Sequence, residues 1–289
     1  MTREGALESM AAFGTGPADR RSIRGLASRP RIGFAAAMTR VTQRIRGGLA
    51  DLLAPLADGW PAVIITAGAL VLVLLHLGPG SRDFFVARLA PWCCPQAGPQ
   101  GVGWWAALYQ HGLAFCLFLV LPLIALRLGT GLRPTALGLG LGRWRLGFGV
   151  VAPLGLLLVA LPGGLAAGGM PAFVREYPLA AAAGASAERF VLYQLAYGLL
   201  YYAAYEAFFR GMLQFSLQAH IGATAAVLVQ TAITTLLHIG KPQPEIWSAL
   251  AAGFVFGALA LRLRSIWPLW LIHWGLGLAT DWSCISAGA

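Results

Sequence analysis

Residues 193–218 read YQLAYGLLYYAAYEAFFRGMLQFSLQ, an apolar run that carries one acid, Glu206, and one base, Arg210. The run has the length and character of a helix inside a bilayer. Ionisable groups in such a span cost several kcal/mol by most estimates, so they pair, face the bundle interior and mark function. Glu206 and Arg210 stand four residues apart with the acid on the N-terminal side, which puts both on one helical face in the better order for an ion pair. Taken alone, the pair has two readings of equal weight: a bridge that only neutralises two buried charges, or part of a site. Two downstream residues tip the balance toward a site. His238 and His273 each sit in a further apolar segment.

Composition sets the surroundings. The 289 residues are 58% hydrophobic and 11% charged, and the mean hydropathy is +0.69. Soluble domains carry about 25% charged residues, so the chain reads as an integral membrane protein. Several continuous runs reach the roughly 18–20 apolar residues of a helical span. A membrane β-barrel would show alternation of period two instead. The formal net charge is +10, and every basic residue except Lys241 is Arg. That charge lies in flanks and loops, where it sets topology and touches anionic lipid; it does not indicate nucleic acid. Cys93, Cys94, Cys116 and Cys284 show no metal-binding spacing.

The expected fold class is all-α: a polytopic membrane bundle of seven to eight helices. Residues 1–47 hold nine Arg and read as a disordered cytoplasmic tail, with a short interfacial helix expected over 36–56. Spans are expected near 60–77, 104–126, 146–168, 189–218, 222–238, 246–261 and 266–282. The fourth is long for one crossing and is expected to tilt, or to bend near Gly198 or Gly211. Residues 48–188 form an N-terminal helical region, and 189–284 a core that carries the ionisable residues. Arg in the tail, at 127–145 and at 262–264 outnumbers the basic residues of the other face. The N-terminus is therefore expected in the cytoplasm and the C-terminus outside, in a bacterial inner membrane. His111, near one end of its span, reads as structural or interfacial.

Glu206, His238 and His273 lie on three different helices. A carboxylate with two imidazoles in a partly dry chamber supports two chemistries. Glu206 acts as general base on water while the imidazoles stabilise an oxyanion, or all three hold a zinc ion whose bound water attacks. Both amount to hydrolysis. Glu245, seven residues after His238 across a Pro-restricted turn, reads either as a helix N-terminal acid or as a replacement or supporting acid beside His238. Asp281 reads as interfacial, with a weaker option of orienting His273. Tyr205 reads as packing, with the option of a hydroxyl directed at the site.

YEAFFRG (205–211), LLHIGKPQPE (236–245) and SIWPLWLIHWGLGLATD (265–281) resemble the three motifs of the CPBP family. These are the CAAX-prenyl-protease and bacteriocin-processing intramembrane proteases, also called Abi. The family's motifs are E-E-x-x-x-R-G, F-x-x-x-H and H-x-x-x-N. Arg210, His238 and His273 fall on the matching positions, and Glu206 on the second Glu. Tyr205 stands where the first Glu, usually assigned as the water-activating base, would be; Thr234 replaces the Phe, and Gly277 the Asn-like residue. The chain is similar to a branch with a single Glu after an aromatic residue and an H-x-G-K-P-x-P-E segment. The resemblance covers roughly residues 190–282. It implies a helical membrane fold and an endopeptidase acting on membrane-anchored proteins or peptides. The site would be built from Glu206, Arg210, His238, His273 and Glu245, with Zn2+ held by Glu206, His238 and His273 or with no metal.

Two rivals share these residues: a non-catalytic membrane scaffold of the same family, favoured by Tyr205 and Gly277, and a small-solute transporter, disfavoured by the lack of an internal repeat.

Overall fold

The structure is a computed structural model, and it describes residues 34–53 and 59–288. The chain divides into two units, Met1–Ala57 and Asp58–Ala289. In the first, helix α1 spans Phe34–Leu53. Its Met38, Val41 and Ile45 are exposed and fall on one helical face, with Arg40 and Arg44 on another, the pattern of a helix that lies on a membrane surface. The first 33 residues of the expected tail lie outside the described residues.

The second unit is helical, with no strand among the described residues. We number its long helices α2 (Trp60–Leu77), α3 (Pro99–Thr130), α4 (Trp144–Ala167), α5 (Ala187–Leu236) and α6 (Gln243–Leu263), and α7 (Trp267–Gly288). Five of these, α2 to α6, are long and apolar enough to cross a membrane, fewer than the seven to eight expected. Two physical facts account for the difference. The 50 residues of α5 would extend about 75 Å if straight, and the helix breaks at Gly222, whose φ of 79° and ψ of 166° leave helical space. Only glycine adopts such a backbone without strain. Helix α7 is 22 residues long, but His273, Thr280, Asp281 and Ser283 dilute its apolar run.

Helix α5 is the organising element, with a third of its apolar stretch buried against a fifth for α2, α3 and α4. Its Tyr205, Phe208, Phe209, Met212, Leu213 and Leu217 pack with Leu117 and Phe118 of α3 and Val73 of α2. It also widens into two π-helical stretches, Tyr197–Tyr202 and Ala207–Leu213. Such stretches re-aim side chains and recur at functional sites. Glu206 sits in the single α-helical turn between them.

Helices α6 and α7 dock through small residues, as membrane helices do where no hydrophobic drive separates protein from lipid. Side chains of α7 fill a glycine-lined groove on α4. A Cβ at Gly155 would stand 2.3 Å from Ile272, one at Gly164 2.4 Å from the Ala279 side chain, and one at Gly168 2.8 Å from the Ser283 carbonyl oxygen. The Ser283 hydroxyl donates to the Gly164 carbonyl at 2.6 Å. Helix α6 is pinned to α5 by two buried amides. Gln214 Nε2 donates to the Gly257 carbonyl at 2.9 Å and Gln230 Nε2 to the Gly253 carbonyl at 2.7 Å. These contacts set the rotation of α7, and with it the direction of His273.

Candidate active site

A cavity of about 300 Å3 opens where α2, α5, α6 and α7 meet the loops that follow α2, α4 and α5. His238, His273, Glu245, Tyr177, Tyr202 and Tyr205 all line it. The two imidazoles thus share one chamber, as the motif spacing suggested. Glu206 does not line it. That carboxylate is fully buried, and its Oε1 accepts a hydrogen bond from Nδ1 of His273 at 2.6 Å. Nη1 of Arg210 stands 3.5 Å from the same oxygen. Glu206 therefore lies behind His273, sealed from the cavity. It fixes the ring with Nδ1 inward, leaving Nε2 as the ring nitrogen free to meet a ligand. Arg210 is buried beside it, and its guanidinium carbon lies 5.0 Å from the centre of the Tyr205 ring, a cation–π contact in a dry setting.

His238 follows the C-terminus of α5, past the last span residue Leu236. Gly240 takes a φ of 92° and Pro242 starts α6, so the chain reverses and returns the first turn of α6 to His238. Nδ1 of His238 donates to the Thr234 carbonyl at 2.8 Å. That bond sets the tautomer and leaves the Nε2 lone pair directed at the reversed turn. Oε1 of Glu245 lies 4.0 Å from it, a gap one water can bridge. Burial, with Lys241, Arg210 and His273 nearby, pushes the His238 pKa down to about 4, against the pull of the Thr234 carbonyl. The imidazole is therefore neutral at physiological pH. Glu245 is both things the sequence offered: an acid in the first turn of α6 and a neighbour of His238. Its Oε1 accepts the Tyr177 hydroxyl at 2.7 Å, and its Oε2 is buried without a protein partner. Burial, followed by the charge of Glu245, pushes the Tyr177 phenol well above its usual range, so it stays a donor.

The rim is ionic. Glu176 Oε1 accepts from Arg82 Nη2 at 3.0 Å and from Lys241, while Arg82 Nη1 donates to the Leu179 carbonyl at 2.7 Å. These residues tie the loop after α2, the segment between α4 and α5, and the turn before α6 around the cavity mouth.

One expectation is corrected. Asp281, read as interfacial, is fully buried and accepts from Gln194 Nε2 at 2.7 Å; Glu206, not Asp281, orients His273. Glu206, His238 and His273, expected as zinc ligands, do not stand together as three ligands in the structure. A dication at Glu206 Oε1 would face the guanidinium 3.5 Å away and a ring nitrogen already bonded there. Among the described residues no three His, Cys, Asp or Glu side chains stand close enough to hold a metal ion. His111, read as structural, is buried and stacks on Tyr197 with centroids 4.5 Å apart.

The sequence reading missed Tyr177, Tyr202 and the rim residues. Tyr193, Tyr197, Tyr201 and Tyr205 recur every fourth residue, a one-face stripe that was legible. Tyr202 stands out of that register. Nothing local in the loop sequence foretold that Tyr177 would reach an acid 68 positions away.

Fold and site define a helical membrane protein with a buried carboxylate–imidazole pair and an acid–imidazole pair facing one small chamber. Residues 187–279 match the family described as Rce1-like, the Type II CAAX prenyl endopeptidase Rce1-like family. That segment carries α5, α6 and the first half of α7, hence Glu206, Arg210, His238, Glu245 and His273, and the match agrees with the motif resemblance. No curated protein and no solved structure matches the chain.

Proposed function

We propose that the chain is a membrane-embedded endopeptidase that hydrolyses peptide bonds of membrane-anchored proteins or peptides, with water activated by Glu245 and His238. One observation carries this reading: Glu245 and the free Nε2 of His238 face each other at 4.0 Å in the cavity that His273 also lines. Glu206, the acid the motif favours, is sealed behind His273.

The chemistry follows from the positions of the nitrogens and oxygens. A water between Glu245 and His238 donates one hydrogen to Nε2 and the other to the carboxylate, which directs its lone pair into the cavity. As its oxygen bonds to the scissile carbonyl carbon, Glu245 takes the proton. Nε2 of His273 hydrogen-bonds the carbonyl oxygen as charge develops there, and Glu206 holds the ring in position from behind. The C–N bond then breaks and Glu245 returns the proton to the leaving amine. Arg210 holds Glu206 in place, and Tyr177 fixes one oxygen of Glu245. His238 lies just past the end of α5, which supports a site within reach of a chain segment emerging from a lipid anchor.

The test is hydrolysis of a membrane-anchored peptide library by purified full-length protein in proteoliposomes, with products read by mass spectrometry. The proposal expects cleavage that is lost in Glu245→Gln and in His238→Ala. Equal cleavage by the wild type and both variants would refute it.

A further inference from the structure

We infer that the hydroxyl of Tyr202 is a second donor to the oxyanion, beside His273, and that Gly277 leaves the space it stands in. This inference rests on the endopeptidase reading. His273 and Gly277 lie one turn apart on α7, on the same face. A Cβ at position 277 would stand 2.2 Å from Tyr202 Oη and 2.7 Å from its Cζ. The phenol therefore lies against the bare α7 backbone where any other residue would project. Its ring centre is 4.6 Å from that of His273, and both residues line the cavity that holds Glu245 and His238. A hydroxyl and an imidazole delivered from two helices to a cavity that an acid–imidazole pair also lines is the composition of an oxyanion site.

The tyrosine stripe supplies the contrast. Tyr193, Tyr197, Tyr201 and Tyr205 follow the four-residue face of α5, and Tyr193, Tyr197 and Tyr202 share one buried aromatic cluster. Tyr202 is one residue off that face, at the end of the π-helical stretch Tyr197–Tyr202, and its ring meets Tyr201 at 90°. Its ring packs on Tyr197 of the stripe, with centroids 4.4 Å apart, and on His273 of α7.

The experiment compares wild type, Tyr202→Phe, Gly277→Ala and Glu245→Gln as full-length proteins in phosphatidylethanolamine–phosphatidylglycerol vesicles. The substrate is the best-cleaved library peptide, and a phosphinic analogue of that peptide serves as transition-state mimic. Loss of one oxyanion donor costs about 10²–10³-fold in kcat. Tyr202→Phe is expected to show that loss with KM unchanged, and to lose a similar factor in affinity for the phosphinic analogue but not for the peptide. Gly277→Ala, which displaces the hydroxyl, should follow it. If Tyr202→Phe does not fold, 3-fluorotyrosine at position 202 keeps the packing and should change kcat and move its basic limb with the acidity of the phenol; an unmoved profile overturns the inference. If Tyr202→Phe keeps kcat within twofold while Glu245→Gln is inactive, the inference fails and the endopeptidase reading stands. If the wild type cleaves no peptide, both fail.

Discussion

Replacing Glu206 by Gln separates two roles that a carboxylate in this protein can have. The change keeps shape and removes one charge. In the native chain Arg210 is 2% exposed and its charge is balanced by Glu206 at 3.5 Å; after the change it retains the Tyr205 ring face at 5.0 Å and no anion. Removing one partner of a buried pair costs about 3–5 kcal/mol, because the other charge stays buried and uncompensated. His273 Nδ1–H can still donate to the amide oxygen, so the ring keeps its direction. Glu206→Gln should therefore mainly cost stability, and molecules that remain folded should still hydrolyse peptide. Glu245→Gln should behave in the opposite way. Glu245 is part-exposed, and its bond from Tyr177 is worth about 1 kcal/mol, but its loss as general base costs about 10²–10⁴-fold in rate. The assay is thermal unfolding in detergent alongside hydrolysis per folded molecule, on the same two preparations. A fully stable, inactive Glu206→Gln together with an active Glu245→Gln would refute the argument and return the base to Glu206.

Three further expectations follow from the packing and the charges. The depressed His238 pKa, about 4 in the fold against 6.5 in the unfolded chain, means the unfolded chain binds the proton first. Stability should fall as pH drops through 6.5 toward 4, by about 3 kcal/mol in all, and His238→Gln should flatten that part of a stability–pH curve; an unchanged slope contradicts the assignment. Gly164→Ala puts a Cβ 2.8 Å from the Ala279 and Thr280 backbone and should cost about 1–3 kcal/mol by overpacking the α4–α7 seam, seen as a lowered unfolding temperature; no loss would show that the seam relaxes freely. Ser286 near the end of α7 is exposed. In a background with the four natural cysteines replaced, Ser286→Cys should label with an impermeant thiol reagent from outside the cell; labelling only from the cytoplasmic face would reverse the orientation given by the Arg distribution.

What the sequence shows and hides differs by length scale. Helix class and most span positions were legible because a bilayer demands about 20 apolar residues per crossing, and the chain supplies them in continuous runs. The break at Gly222 was nearly placed, since a fifth span was expected to begin there. Extra length within α5 was expected to tilt or bend near Gly198 or Gly211, and the helix does widen around both. His238 and His273 were legible, as a group with Glu206, because each is a polar residue in or beside an apolar run, whereas Glu245 read either as a helix N-terminal acid or as a supporting acid. The position of Glu206 relative to the cavity was not legible. Spacing puts it on the Arg210 face, but whether that face meets the cavity or the back of His273 depends on the rotation of α7, set by glycines of α4 more than 100 positions away. The placement of Tyr202 depends on the π-helical stretch, which shifts side-chain phase without a sequence signature that periodicity can read.

The central claim is that water, activated by Glu245 and His238, attacks a peptide bond in this cavity. Cleavage of the membrane-anchored peptide library in H2 18O reads that step directly, because the attacking oxygen remains in the new C-terminal carboxylate. The account predicts one 18O in each new C-terminus from the wild type, an initial rate of incorporation at least about 10²-fold lower with Glu245→Gln, and retained incorporation per folded molecule with Glu206→Gln. Incorporation by Glu245→Gln at the wild-type rate, or none by the wild type, would contradict it.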